Sequence, residues 1–573
     1  MVENGKKGVT KQNLQEQAWQ VWDSLRGFLD SSETMVYQVG ISTLAFMLKG
    51  VGDDETLLSS LENSFDDETT VRFLQKLLKE YAEQIKMLAD KFDADTLKAA
   101  VLFAEPRLSR NEDEISTPDG VSKLALSLMD LEEDDTILDL GSGVGSFLTL
   151  AARYSGSRNL YGVELNTSAV IIANLRSFVS GVPLKVIQGN MVSQCYSHLS
   201  ANKVFSNYPV GMRFPALKAY VDKNSALKKY FKDIKRTASG DWVFGLAAYL
   251  NTKQPGKTVI LMTNAGTWNK PDESLRQQLV KDGIVEGVIL LPENLFSYTR
   301  IPFTMLVLSQ NNTKVKMVDA SDIYTEERRQ NFLGANDIDK IVHAYHNETE
   351  ISREVEVDEI AEQEYILNPL RYITSGMEIE DGVSLGDLCI SINRGAIIQS
   401  SELDELVASE ETSYRYLMLQ HIQDGIVDSD LPSLVGVEER YKKHCINDKN
   451  LIISKNAPFK VALAQIPEGQ TVLANGNLYF LELDESRVNP LFVSVFLQSE
   501  IGMSQLNRFA KGTAVRNISI QDLKMVQIPK LPMEQQDVIA EEYENLSDEL
   551  VVLQRQADLI RDKRARLLEG VAF

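Results

Sequence analysis

Only three cysteines, Cys195, Cys389 and Cys445, are spread over 573 residues. They are too few and too far apart for a disulfide framework, and no Cys-x-x-Cys pair points to zinc, so no metal site is expected. Long apolar runs are also missing. No stretch approaches the about 20 apolar residues that a membrane-spanning helix needs. The opening residues, MVENGKKGVTKQNLQEQAW, are polar and carry no apolar leader core. A soluble, cytoplasmic protein without a membrane partner is expected. Basic charge is in deficit too, with 59 Lys and Arg against 82 Asp and Glu and a net charge of -23. This argues against a protein that coats nucleic acid non-specifically, but it leaves room for a local basic surface.

Such a surface is present. Between Met212 and Arg236, eight basic residues (Arg213, Lys218, Lys223, Lys228, Lys229, Lys232, Lys235 and Arg236) face two acidic ones, a local net of +6. Either this is a solvated helical face or it contacts phosphate. Its place directly after the strand end Asn207–Val210 favours phosphate, with Arg213, Lys228 and Lys229 as candidate DNA contacts.

The chain is long enough for about three to five domains. Residues 1–112 read as a helical N-terminal domain, as in LQEQAWQVWDSLRGFL and TTVRFLQKLLKEYAEQIKMLADKF, whose apolar residues recur every three or four positions. From 113 to 312 short apolar runs alternate with helix-length segments. TILDL, NLYGVEL, PLKVIQG, KVFSNYP, KTVILMT, VEGVILL and FTMLVLS are seven candidate strands. That alternation predicts an α/β core with a seven-stranded, mostly parallel sheet. Residues 313–382 are charged and read as a connecting region with helices. Residues 383–532 read as a separate α+β domain, with the strand-like runs LIISK, VALAQI and NLYFLELD. Residues 533–573 form a long helix. Ile539, Tyr543, Leu546, Leu550, Leu553, Ala557, Ile560 and Leu567 follow alternating steps of four and three, with Arg564 in one slot, which is a coiled-coil-like seam. It packs either on its own domain or on another long helix.

The sharpest local signal is Ile137-Leu138-Asp139-Leu140-Gly141-Ser142-Gly143-Val144-Gly145-Ser146-Phe147. An apolar strand ends near Asp139, and Gly141, Gly143 and Gly145 open a helix, so backbone can approach a ligand closely. The spacing departs from the dinucleotide fingerprint and carries no Gly-Lys-Ser/Thr phosphate loop. Glu164 ends the next strand, 25 residues after Asp139, where a carboxylate can accept the hydroxyls of a ribose. Asp139 can meet the ammonium of a methionine moiety. The pattern fits S-adenosylmethionine best, and a nicotinamide or nucleotide cofactor stays open. Phe147 belongs to the same cofactor set. Asn190, after the third strand, either reads the edge of the cofactor adenine or closes a turn.

The fourth strand ends Phe205-Ser206-Asn207-Tyr208-Pro209-Val210-Gly211. Here the chain resembles the N6-adenine DNA methyltransferases, and specifically the modification subunits of type I restriction-modification systems, whose motif is Asn-Pro-Pro-Phe/Tyr followed by Gly. Ser116-Thr117-Pro118 resembles the family's segment over the methionine end of the cofactor. Gly256-Lys257-Thr258-Val259-Ile260, Leu291-Pro292-Glu293-Asn294-Leu295-Phe296 and Ile301-Pro302-Phe303 resemble its late strands and loops. The resemblance covers about residues 113–310. It implies an S-adenosylmethionine-dependent methyltransferase core, with Asn207 and the carbonyl of Tyr208 or Pro209 accepting the hydrogens of the target amine. It adds Thr117 and Pro118 to the cofactor set. Tyr208 stands where the family has its first Pro, and Val210 where it has the aromatic that stacks on the flipped base. Tyr208, Phe205 or Phe214 then supplies that face, or activity is weakened or lost.

Residues 383–573 carry a second set of phrases. They are Val383–Leu388, Tyr416–Gly425, Asn450–Ser454, Asn489-Pro490-Leu491, Gly512–Ile518, Ile528–Pro532 and Glu534-Gln535-Gln536. In this order they resemble half of a type I specificity subunit, a DNA target-recognition domain with one spacer helix. That family's subunits carry two of each, and one of each implies a homodimer joined through the 533–569 helices. Two-fold symmetry then implies a bipartite, palindromic site in double-stranded DNA. Lys511, Arg516 and Asn517 are candidate DNA contacts, each with a plain surface role as the alternative. His421 and His444 have no partners at ligand spacing and read as surface or turn residues.

The expectation is a site-specific DNA adenine-N6 methyltransferase of a restriction-modification or related defence system. The alternative is a catalytically inactive, methyltransferase-like DNA-recognition subunit that recruits partners. There is no phosphate-loop motif, helicase motor or nuclease cluster in the chain, so cleavage implies a separate restriction subunit.

Overall fold

The computed structural model describes residues 11–29, 34–102, 117–232, 238–297, 299–327, 330–373, 379, 381–423, 425–428, 430–510 and 516–565. It divides into two compact units, Met1–Pro369 and Leu370–Phe573.

The first unit opens with helices α1 (Lys11–Asp23), α2 (Thr34–Val51), α3 (Asp54–Ser64), α4 (Glu68–Glu80), α5 (Ala82–Lys91) and α6 (Ala94–Leu102). Asp53 and Asp67 start α3 and α4 by accepting the Thr56 and Thr70 amides at 2.9 and 2.8 Å, which satisfies donors that the first turn leaves open. The periodic stretch 69–92 is two helices. It breaks at Tyr81, whose φ of -125° and ψ of 28° lie outside the helical region.

The sheet follows. After α7 (Asp119–Leu128) come β1 (Thr136–Leu140), α8 (Ser146–Ser155), β2 (Asn159–Glu164), α9 (Thr167–Ser180), β3 (Leu184–Gln188) and β4 (Lys203–Asn207). Then α10 (Phe214–Val221), α11 (Ser225–Tyr230), α12 (Asp241–Leu250), β5 (Lys257–Thr263), α13 (Glu273–Lys281), β6 (Val285–Leu290) and β7 (Phe303–Leu308) complete the seven expected strands. The sheet does not stop there. β8 (Lys314–Asp319), the short pair β9 (Thr325–Glu326) and β10 (Asn331–Phe332), α14 (Ala335–His346) and β11 (Ser352–Glu356) come from residues 313–382. β8 and β11 bring the sheet to nine strands in the order β11-β8-β6-β7-β5-β4-β1-β2-β3. The seven-stranded expectation is therefore corrected to nine. Lysines at 314 and 316 disguise β8 as charged connection, although Val315, Met317 and Val318 are buried.

Five of the eight strand pairs are parallel. β7 runs antiparallel between β5 and β6, and β11 runs antiparallel to β8. Every residue of β7 is buried, as a strand covered on both faces requires. One face of α9 is built into the helical domain. Ile171, Ile172, Leu175 and Val179 share a single core with Leu44, Leu61, Leu74 and Leu88 of α2–α5. The N-terminal helices are thus packed on the sheet layer and are not an appended bundle.

The second unit is α+β. Cys389–Arg394, Leu478–Leu483, Leu451–Ser454 and Val461–Leu463 form a four-stranded antiparallel sheet. Tyr414–Leu417, Thr471–Ala474 and Cys445–Ile446 form a second sheet of three strands. A buried ion pair, Arg371 to Asp522 at 3.0 Å, closes its base. The long helix Met533–Ala565 docks its first turns here, with Ala540 buried and the Tyr543 hydroxyl donating to Gln498 Oε1 at 3.0 Å. Beyond this point Leu546, Leu553 and Ile560 are 60%, 53% and 60% exposed, so these seam positions are left uncovered by the described residues. Leu567 lies outside the described residues.

Leu175 is fully buried in the core that joins α9 to the helical domain. Leu175→Ala should lower unfolding free energy by about 2–5 kcal/mol in urea titrations. A change below about 0.5 kcal/mol, the size ordinary surface substitutions give, would mean that the two layers are not one cooperative core.

Candidate active site

In chain order the sheet grows from β1 through β2 to β3 on one side, then restarts at β4 on the other. The connections leaving β1 and β4 therefore depart in opposite directions. They open a crevice at the carboxyl ends of these strands, where ligands of open α/β sheets bind.

The glycine loop forms one wall. Gly141 and Ser142 donate to the Val163 carbonyl at 2.8 and 3.1 Å, which folds the loop back over β2. Gly141, Gly143 and Gly145 have φ of 85°, 51° and 76°, a region that side chains strain. At Gly143 an added Cβ would meet nothing within 4 Å, so the loop surface is open there. At Gly145 it would press on Leu184 and Ala173 at 3.2 and 3.4 Å, so this glycine lets α8 pack close. Glu164 holds the loop. Its Oε2 accepts from Gly143 N and its Oε1 from Asn166 N, both at 2.8 Å. Each oxygen keeps a second lone pair for a ligand.

Four buried polar side-chain atoms at this end of the sheet have no hydrogen-bond partner among the described residues. They are Asp139 Oδ1, Ser142 Oγ, Asn207 Oδ1 and Tyr208 Oη. Leaving such an atom unpaired costs about 1–3 kcal/mol, so four together mark a place built to receive a ligand. Burial, with the Glu164 charge added, pushes the Asp139 carboxyl well above its ordinary value. A cationic group seated there would restore its charged form. The donor set, an open glycine loop flanked by two carboxylates, fits an adenosine carrying an ammonium-bearing tail.

Asn207 ends β4. Its Nδ2 donates to Thr117 Oγ1 at 2.8 Å, while Ser206 Oγ donates to the Leu140 carbonyl at 2.6 Å and locks β4 to β1. Thr117 and Pro118 precede α7, with Pro118 at its N-cap. Thr117 thus meets the Asn207 amide, whereas Ser116 lies outside the described residues. Asn190 Oδ1 accepts from the Val192 and Ser193 amides at 3.0 and 2.9 Å, so that oxygen closes a turn. Phe147 is stacked on Phe205 at 3.9 Å, and both are in the core. Tyr208 is fully buried and stacked on Phe244 at 4.6 Å, and Phe214 is stacked on Phe231 at 5.4 Å. None of the three aromatic stand-ins, Phe205, Tyr208 or Phe214, offers an exposed face. Pro209 is exposed, and Val210 is half-buried against the core.

One buried group beside Tyr208 carries no sequence signal. Asp241 opens the apolar helix α12, where its spacing suggests only a helix start. Its Oδ2 accepts from Thr263 Oγ1 at 2.5 Å. Burial pushes its pKa up to about 6 against that hydrogen bond, with the Asp272 charge adding.

Of the basic candidates, Arg213, Lys228 and Lys229 are exposed around α10 and α11, and Lys228 lies 3.9 Å from Asp222. Arg516 and Asn517 belong to the second unit, and Lys511 lies outside the described residues. There the segment after 515 joins a hairpin end. Ala457 N donates to the Arg516 carbonyl at 2.8 Å, Asn517 bridges Asn456, and Ile518 N donates to the Lys455 carbonyl at 3.0 Å. Arg394 and Lys455, which no motif flags, stand close enough that burial and the Arg394 charge lower the Lys455 pKa. Neither forms an ion pair among the described residues, so this surface gathers uncompensated positive charge. The His444 Nδ1–H donates to the Arg394 carbonyl at 2.6 Å, and His421 Nδ1 accepts from Met418 N at 3.2 Å.

A doubly wound sheet, a glycine cradle at its switch point and an asparagine oxygen beside it without a partner among the described residues form a crevice whose chemistry suits a nucleotide-like ligand. Residues 103–381 match the family model described as N-6 DNA Methylase. Among curated relatives, the type I restriction enzyme MjaVIII methylase subunit of Methanocaldococcus jannaschii is 28% identical over 49% of this chain and 53% of its own length. The MjaVII methylase subunit of the same organism is also 28% identical, over 55% and 59%. The chain spans just over half the length of these relatives. Among solved structures, the type I restriction-modification methyltransferase subunit from Streptococcus thermophilus is 19% identical, with a TM-score of 0.49 over 64% of this chain and all of that one.

The unfolded Asp241 has the ordinary carboxyl value of 3.8, below its folded value of about 6. The folded state therefore holds the proton more tightly, and stability falls as pH rises between these values. Asp241→Asn should remove that loss. In denaturant titrations its stability relative to wild type should rise by about 1 kcal/mol from pH 5 to pH 8. An unchanged difference would mean that the carboxyl is not desolvated.

Proposed function

We propose that this protein is a site-specific DNA-methyltransferase that transfers a methyl group from S-adenosylmethionine to the N6 amine of adenine in double-stranded DNA. The setting is a restriction-modification or related defence system in the cytoplasm. The observation that carries the reading is the buried, unpaired Oδ1 of Asn207 beside the glycine cradle. Bound S-adenosylmethionine supplies an electrophilic methyl group. The fitted set for it is Gly141, Gly143 and Gly145, Asp139 toward the ammonium and Glu164 toward the ribose. The exocyclic amine of adenine is a poor nucleophile because its lone pair is delocalised into the ring. Asn207 Oδ1 and the carbonyl of Tyr208 or Pro209 accept its two hydrogens, which turns the lone pair toward the methyl group. Catalysis is then mainly positioning, after the target base has left the helix stack.

The second unit is proposed as the target-recognition domain. The Arg394, Lys455, Arg516 and Asn517 surface suits a phosphate backbone, and Arg213, Lys228 and Lys229 suit it on the first unit. The exposed seam from Leu546 to Ile560 supports a homodimer through the long helix, and hence a bipartite, palindromic site. Cleavage would come from a separate restriction subunit. One observation favours a second reading, an inactive DNA-recognition subunit. No aromatic at the Asn207–Val210 motif presents an exposed face, because Tyr208 is buried and Val210 replaces the stacking ring.

Adenine methylation mapped by single-molecule sequencing in a methylation-free host separates the two readings. We expect a methylated split palindrome with the wild-type chain and none with Asn207→Ala, while labelled S-adenosylmethionine still binds. Methylation that persists in Asn207→Ala would remove the proposed acceptor. No methylation by wild type, with cofactor bound, would favour the inactive reading. Deleting 533–573 should convert dimers to monomers in light scattering, and a truncated protein that stays dimeric would refute the helix-mediated dimer.

A further inference from the structure

Ile397 is the most exposed large hydrophobic side chain among the described residues, at 73%. Exposure alone means little, because apolar residues scattered singly over a surface are ordinary. Its mounting and its neighbours set it apart. Ile397 follows the strand Cys389–Arg394 of the second unit. Gly395 N donates to the Leu478 carbonyl at 3.0 Å and Ala396 N to the Ala474 carbonyl at 2.7 Å, which pins this stretch along the turn Asn475–Asn477. Side chains then alternate. Ala396 is buried with Tyr416 and Tyr441, Ile398 packs on the same cluster, and Ile397 between them is turned to solvent.

The turn under Ile397 also gathers cations. A Cβ added at Gly476 would lie 2.8 Å from Ile397 Cγ1, so the isoleucine rests directly on this turn. Arg394 Nε donates to the Gly476 carbonyl at 2.7 Å, and Lys455 N donates to the Asn477 carbonyl at 2.7 Å. Arg516 joins them through its carbonyl, which accepts from Ala457 N, two residues on from Lys455. None of the three cations forms an ion pair among the described residues. Asn477 is exposed on the turn. One apolar side chain thus stands on a surface otherwise made of cations and an exposed amide.

We propose that Ile397 is a specificity-determining residue that packs on the 5-methyl group of a thymine in the major groove of the target duplex, an inference that rests on reading the second unit as the target-recognition domain. Cations that face a duplex take phosphates, which fixes orientation without reading sequence. An exposed asparagine amide takes base edges. Neither use suits an isoleucine. The edges of the base pairs are lined by hydrogen-bonding groups, and the thymine methyl in the major groove is the one apolar group among them. Burying Ile397 against any other edge would strip water from polar atoms without replacing their hydrogen bonds. Against the methyl group, apolar surface leaves water on both sides of the contact.

The test starts from a duplex site selected by the full chain from a random-sequence library, a selection on binding that needs no turnover. Each thymine of that site is then replaced singly by deoxyuridine, which removes the methyl group and keeps the pairing edge. Fluorescence anisotropy should show wild type losing about four-fold in Kd at one thymine position, the value of one buried methyl group. Ile397→Ala should bind the unmodified site at least about four-fold more weakly and show no further loss with deoxyuridine at that position. Ile390→Ala, which removes an isoleucine 65% exposed at the opposite end of the strand Cys389–Arg394, should keep the wild-type response. The inference is overturned if wild type tolerates deoxyuridine at every thymine, or if Ile397→Ala keeps the wild-type response. It is overturned too if Ile397→Ala weakens binding to the selected site and to random duplex by the same factor. A chain that selects no sequence at all overturns the target-recognition reading, and the methyl contact with it.

Discussion

The site depends on one topological constraint, the reversal of strand order between β1 and β4. Because β2 and β3 extend the sheet on one side and β4 and β5 on the other, the loops after β1 and β4 cannot cover each other. The gap between them is where the glycine loop and Asn207 face a common space. The parallel pairing of Asp139 with Phe205 sets how far each strand reaches into that gap. A one-residue slip would turn every side chain of the strand to the other face and carry the Asn207 side chain away from the glycine loop. The nine-stranded sheet, with β7 buried between β5 and β6, serves as the rigid support that makes this register reproducible.

Polarity at the crevice is held there at a cost. Asp139, Ser142, Asn207 and Tyr208 each keep an atom without a partner among the described residues, while buried polar groups in proteins are as a rule satisfied. Two of these have a clear use in the proposed reaction, Asp139 toward a cation and Asn207 toward an amine. Tyr208 differs. Its ring is stacked on Phe244 inside the core, and its hydroxyl is pushed further from ionisation by burial and by the nearby Asp241 charge. The departure from the Pro-containing motif therefore changes how the turn after β4 is anchored, and it leaves the backbone carbonyls of the motif available.

The second unit handles charge by local arrangement. The chain is strongly acidic, yet Arg394 lies near enough for its charge to lower the Lys455 pKa, after the larger effect of burial, and neither has a carboxylate partner among the described residues. Net charge governs long-range association, whereas a phosphate contact depends on the few cations that share a surface. The acidic balance of the whole chain and a local cationic surface are compatible for that reason.

Much of the fold was legible from local periodicity. The seven strands of the α/β core and the helical N-terminal segment follow from apolar spacing, because a strand buried on both faces and an amphipathic helix leave different patterns. The glycine loop, the acidic strand ends at Asp139 and Glu164 and the Asn207 motif could be found because each is written in consecutive residues. β8 was missed because lysines alternate with its buried apolar side, and the break at Tyr81 because the periodicity runs through it. Asp241, the Arg394–Lys455 pair and the hydrogen bond from Asn207 to Thr117 join residues that are far apart in the chain or unmarked in it. The sequence by itself determined which chemical groups are available and which elements carry them. Only the tertiary structure decided which groups meet, which lie buried and which buried atoms stay unpaired, because those are properties of distance and of water exclusion.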